Sequence, residues 1–185
     1  VTITSGKIPE LIYDYSGFPD EAYDIKYPVS GNPQLAKKIF TLLQDNAIEA
    51  RLDNNRGFDL GLYVPLKIMF PDASIPCVQV SLLNNLNAKD HILIGKALSE
   101  LRKDNILILG SGFSFHNMRE FFQSKDSHDD KNVDFERGLI HTCTSNDIEE
   151  NERERQLARW FDAPFARYCH PREEHLLPLH VCYGI

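Results

Sequence analysis

Ala88-Lys89-Asp90-His91-Ile92-Leu93-Ile94-Gly95-Lys96-Ala97-Leu98-Ser99-Glu100-Leu101-Arg102-Lys103, followed by Asp104-Asn105-Ile106-Leu107-Ile108-Leu109, is the stretch that sets the fold class. Over residues 88–103, Leu93, Ala97 and Leu101 share one helical face, with Ile94 and Leu98 beside them. Asp104-Asn105 reads as a turn, and Ile106 to Leu109 as a short continuous apolar run suited to a central strand. A helix feeding such a strand predicts an α/β fold, with a mostly parallel or mixed central sheet flanked by helices.

Upstream, Val1 to Thr4 reads as a strand, and residues 5–31 as a turn-rich loop carrying Tyr13, Tyr15, Tyr23 and Tyr27. Such tyrosines line a pocket or pin the loop to the core, and pinning is the preferred reading. Asn32-Pro33 marks a helix start, cap followed by first-turn proline, with Leu35, Ile39, Leu42 and Leu43 as its buried stripe to about Asn46. Residues 51–60 read as a loop or short edge strand, and Leu62 to Phe70 as a second apolar segment. In Ile75 to Leu83, Val78, Val80 and Leu82 alternate with Gln79 and Ser81, as in a strand. Residues 123–134 form a polar loop in which His128, Asp126, Asp129 and Asp130 are solvated charge rather than a metal site. A charged helix spans 147–161, acids first and arginines later, as the helix dipole favours.

A chain of 185 residues has the length of one domain, so 1–185 is read as a single layered unit. The net charge of −7 offers no basic stripe to offset phosphates, which excludes a nucleic-acid binder of the usual kind. No apolar run approaches the ~18 residues of a membrane span. Cys77, Cys143, Cys169 and Cys182 form no C-x-x-C pair and read as reduced thiols of a cytoplasmic protein. Both ends look cut: the chain opens inside a strand-like run, and at Val181 to Ile185 a further apolar strand looks only just begun.

Two histidine segments carry the chemistry. Gly110-Ser111-Gly112-Phe113-Ser114-Phe115-His116-Asn117-Met118-Arg119 places His116 just beyond the expected central strand, on a loop of small residues. Ligands of open α/β sheets bind at such strand ends, and small residues let them approach the backbone. The alternative is an imidazole bonded to a neighbouring loop. The segment His170-Pro171-Arg172-Glu173-Glu174-His175-Leu176-Leu177-Pro178 sets His175 beside two acids. A neutral imidazole with an adjacent carboxylate suits iron or zinc, the acid serving as ligand or as support. Alone, Glu-Glu-His is also common at helix starts. His170 and His180 read as structural, His91 and His141 as surface or loop residues.

Taken in order, several stretches resemble the class III extradiol ring-cleavage dioxygenases, the LigB-like proteins, and within them the small single-chain, DOPA 4,5-dioxygenase-like branch. They are Ile12-Tyr13-Asp14-Tyr15-Ser16-Gly17-Phe18-Pro19, Arg56-Gly57-Phe58-Asp59, Met69-Phe70-Pro71-Asp72-Ala73, Ile75-Pro76-Cys77-Val78-Gln79-Val80-Ser81, Gly110-Ser111-Gly112 with His116-Asn117-Met118-Arg119, and His170-Pro171 with Glu174-His175. The resemblance implies a non-haem Fe(II) site, or its zinc-occupied version, that binds a catechol through both oxygens and cleaves the ring with O2 beside the hydroxyls. It makes His175 a metal ligand, and His116 an acid/base near dioxygen that also contacts the metal. Two further family ligands, in His-Gly-Ser-Pro-like and Ser-Ala-His-Trp-like segments, would precede Val1, so weak metal binding is expected of this chain. Where the family has Asp-His-Gly, the chain reads Asp59-Leu60-Gly61, and leucine neither donates a hydrogen bond nor takes a proton. The rival expectation is therefore a non-catalytic binding protein of the same fold. A zinc hydrolase has no positive feature in its favour.

Overall fold

A computed structural model of the chain describes residues 1–123 and 129–185. Contact density divides it into two compact units, Val1–Leu82 and Leu83–Ile185. The class is mixed α/β with parallel strand pairing, as expected, but all of the strands it describes belong to the first unit.

In the first unit, β1 (Thr2–Thr4), β2 (Leu11–Ile12), α1 (Pro33–Asp45), β3 (Arg51–Asp53), β4 (Phe58–Asp59) and α2 (Leu60–Met69) follow in order. The strands form two parallel pairs, β1 with β3 and β2 with β4. Asn32 caps α1 as its sequence predicts, its side chain accepting from the Leu35 N–H at 3.0 Å, with Pro33 in the first turn. The segment 75–83 is only partly a strand. Val80 bridges Ile3 antiparallel and Cys77 bridges Gly31, without a continuous ladder. The tyrosine loop is pinned to the core. Tyr13 donates to the Ile25 carbonyl at 2.6 Å and Tyr27 to that of Phe70 at 2.9 Å, while Tyr27, Val29, Phe58, Leu62 and Tyr63 pack together.

In the second unit the helices are α3 (Ala88–Leu98), α4 (Met118–Gln123), α5 (Asp130–Thr144), α6 (Glu150–Ala158), α7 (Ala166–Cys169) and α8 (Leu177–Gly184). Three expectations change. Ile106 to Leu109 is not a strand: the run carries no ladder, and Leu107 and Leu109 face solvent. Four apolar residues do not by themselves separate a strand from a segment draped over helices. Residues 181–185 do not begin a strand, because Val181 to Gly184 complete α8. Of the stripe expected on α3 and its continuation, Ile94, Ala97, Leu98 and Leu101 are buried and Leu93 is exposed, while burial extends further to His91, Ile92 and Gly95. Of the polar loop expected over 123–134, residues 130–134 are the first turns of α5, capped by Asp129. His128 and Asp126 lie outside the described residues.

Two glycines account for the extension of that buried face. A Cβ at Gly95 would stand 2.1 Å from the Val181 carbonyl oxygen and 2.7 Å from the Gly184 Cα, so α3 and α8 touch backbone to backbone. Gly95→Ala is therefore expected to cost about 3 kcal/mol, the upper part of the usual overpacking range, seen as a lower urea midpoint. Gly138→Ala, inside α5 where a Cβ meets open space, is the control and should stabilise by about 0.5–1 kcal/mol. The four cysteines are free thiols, and no helix among the described residues is long and apolar enough to cross a membrane.

Candidate metal centre

The second unit clamps its two histidine segments together through the backbone. Phe113 N–H donates to the His175 carbonyl at 2.8 Å, and His116 N–H to the Cys169 carbonyl at 2.9 Å. Gly112 permits this approach, since a Cβ there would lie 2.3 Å from the His175 oxygen. His170, fully buried, ties the same loop down by donating from Nε2 to the Ser114 carbonyl at 2.8 Å, between the rings of Phe135 and Trp160. Asn117 completes the clamp, its amide donating to the Tyr168 carbonyl at 2.7 Å while its oxygen accepts from Glu120 N–H at the start of α4.

The result places His116 and His175, 59 positions apart in the chain, face to face with ring centroids 3.4 Å apart and planes within 16°. Glu174 joins them: one potential ligand atom from each of His116, Glu174 and His175 lies within 4.8 Å of the others. Among the described residues this is the one such cluster of three His, Cys, Asp or Glu donors. Nothing in the sequence separated Glu174 from Glu173. The turn before α8 does so, directing Glu173 to Arg167 at 2.6 Å and Glu174 toward His175, Oε1 to Nδ1 at 3.8 Å.

Electrostatics favour a cation at this point. Burial first, and then the neighbouring His116, hold the His175 imidazole below the ordinary histidine value, with Glu174 opposing; the ring is a neutral lone-pair donor near neutrality. Its buried Nδ1 and the buried Glu174 Oε2 have no hydrogen-bond partner among the described residues. Arg172 Nε sits 3.3 Å from Glu174 Oε2 as an exposed ion pair, without the alignment of a hydrogen bond. Arg172 thus offsets the charge of that oxygen, whereas the buried His175 Nδ1 lone pair is left without a donor, a cost that a bound cation would relieve. The donor set therefore fits a divalent metal, and two imidazoles with one carboxylate is the combination that suits non-haem iron.

Several histidines are settled as scaffold. His180 is buried between the Leu157 and Leu176 carbonyls, and His170 holds the loop, as their sequence context suggested. His141 is exposed on α5. His91 corrects the expectation of a surface residue: it is fully buried, accepting from Leu83 N–H at Nε2 and donating from Nδ1 to the Asn87 carbonyl. Leu60 opens α2 in the first unit with a partly exposed side chain, next to Asp59, which caps that helix.

Comparison with known proteins bears on this centre. The family described as the catalytic LigB subunit of aromatic ring-opening dioxygenase matches residues 1–185. A protein named dioxygenase tasH from Hapsidospora irregularis is 36% identical over 99% of this chain and 59% of its own length. A protein of Beta vulgaris named 4,5-DOPA dioxygenase extradiol is 35% identical over 96% of this chain and 65% of its own. The crystal structure of an uncharacterized protein from Escherichia coli K12 superposes with a TM-score of 0.79 at 29% identity, covering 99% of this chain and 68% of that one. The chain thus spans 59% and 65% of the two named relatives.

Proposed function

The chain belongs to the LigB family of aromatic ring-opening dioxygenases, and from that premise we propose that it is a metal-dependent extradiol dioxygenase acting on a catechol, with a DOPA-like substrate favoured. The observation that carries the reading is the cluster of His116, Glu174 and His175, in which the buried His175 Nδ1 has no hydrogen-bond partner among the described residues. In this reading these three side chains hold Fe(II), or Zn(II) in its place, residues 1–185 act as one domain, and the protein works in the cytoplasm on a catechol and O2.

A metal bound there supplies Lewis acidity toward the two catechol oxygens and, when it is iron, the redox chemistry that O2 requires. The chain does the rest. His175, kept neutral by burial, contributes a lone pair without competing protonation. His116, held by its backbone bond to Cys169, is within the cluster to accept a proton from a catechol hydroxyl and return it to the ring-opened product. The clamp through Gly112, Asn117 and His170 fixes both imidazoles before substrate arrives, so little ordering entropy remains to be lost.

The test is anaerobic Fe(II) loading followed by O2 uptake with a panel of catechols. The expected result is uptake of one O2 per catechol and a yellow ring-opened semialdehyde. Absence of uptake across the panel, with metal bound, would leave the second reading, a non-catalytic binding protein of this fold. One observation favours that alternative: Leu60 stands where the family pattern carries a histidine, and its hydrocarbon side chain cannot serve proton chemistry.

A further inference from the structure

We propose that Phe113 is the platform for the substrate's aromatic ring, and so the residue by which the site selects a planar catechol over a non-aromatic diol. The inference rests on the dioxygenase reading above and deepens it. Phe113 is 65% exposed, yet its backbone is fixed by the bond to His175 and by the glycine before it. Its ring centroid lies 6.5 Å from that of His116 and 6.1 Å from that of His175. Because those two rings are only 3.4 Å apart, near-equal distances place the phenyl beside the imidazole pair, not stacked over it. Its plane is within 20° of that of His116.

The arrangement is a shelf of three rings, two bearing nitrogen donors and one purely apolar. A ligand whose adjacent oxygens reach the donors extends its ring away from them, along the side where Phe113 lies. Stacking on a phenyl is favourable only for a ligand with a π face, which a saturated vicinal diol lacks. The fold itself gains little from this side chain, since most of it stays in water. Phe121 and Phe122 on α4 are at least as exposed, but their rings pack edge-to-face against each other.

The experiment titrates zinc-loaded protein with 4-nitrocatechol, read by visible absorbance, comparing the parent with Phe113→Ala, Phe113→Leu and Phe113→Tyr. Phe113→Ala should weaken binding about tenfold or more and Phe113→Leu less, while Phe113→Tyr stays within about threefold, all with unchanged zinc content. In steady state with Fe(II), Phe113→Ala should raise KM and leave kcat nearly alone, as loss of uniform binding does. Nitrocatechol binding by Phe113→Ala equal to that of the parent, or no binding by the parent, overturns the platform. Tight, Phe113-dependent binding without any O2-dependent ring opening sinks the dioxygenase reading instead and leaves the platform standing.

Discussion

His175→Ala strips the metal site: in a Zn(II) titration of the metal-free protein the apparent Kd should rise by more than about 100-fold, and catechol ring opening should vanish with it. The substitution removes the side chain whose Nδ1 is buried without a partner, and with it one of three donors. Losing even an outer-shell partner costs a metal site roughly 10–100-fold in affinity, so loss of a ligand should exceed that. The fold should survive, because the clamp uses the backbone carbonyl of residue 175, which alanine keeps. Glu174→Gln should act in the same direction by deleting the negative charge while preserving shape. Glu173→Gln is the internal control, since Glu173 pairs with Arg167 outside the cluster and its loss should leave zinc affinity unchanged. Zinc affinity indifferent to His175→Ala, in a variant with parental circular dichroism, would remove His175 from the site.

How much of this was legible beforehand depends on what kind of interaction each residue makes. The α1 cap was readable because Asn32 and Pro33 act on their own helix within one turn. The parallel α/β class and the two histidine segments were readable from local pattern and from family resemblance. Most of the buried face of α3 was readable too, as Ile94, Ala97, Leu98 and Leu101, but its extension to Gly95 was not, because that is a backbone contact with Gly184, and glycine leaves no apolar mark in a periodicity count. Ile106 to Leu109 misled for a related reason: its hydrophobicity is real, but which neighbour uses it is a tertiary matter. At the site, the choice of Glu174 over Glu173 depends on a turn conformation, not on composition. Phe113 gave no signal at all, since an exposed phenylalanine becomes informative only when its distance to the imidazoles is known.

Mild acid should destabilise the second unit through His91, His170 and His180. Burial is the leading cause that holds all three below the ordinary value of 6.5. For two of them the hydrogen bonds explain why a second proton is unwelcome. His91 Nε2 accepts the Leu83 N–H, so protonating it sets donor against donor. His170 already donates through Nε2 to Ser114, and its buried Nδ1 has no acceptor among the described residues for an added N–H. His180 faces carbonyls at both nitrogens, which favour its charge, so it is desolvation first and then the neighbouring His91 that oppose it. In the unfolded chain each takes a proton near pH 6.5; in the folded chain each does so only at lower pH. Between those limits the unfolded state binds more protons, so stability rises with pH there and is lost as pH falls from about 6.5 through the folded values. Each such proton adds at most ~1.4 kcal/mol per pH unit, so the three together bound the slope at about 4 kcal/mol per unit. Glu173, held down by Arg167, and Asp129, bonded to Tyr168, add their losses only in the lower carboxylate window. Urea midpoints of metal-free protein should fall between pH 7 and pH 5, and His91→Gln should flatten that fall. A midpoint constant across that interval would mean that these imidazoles carry the same proton folded and unfolded.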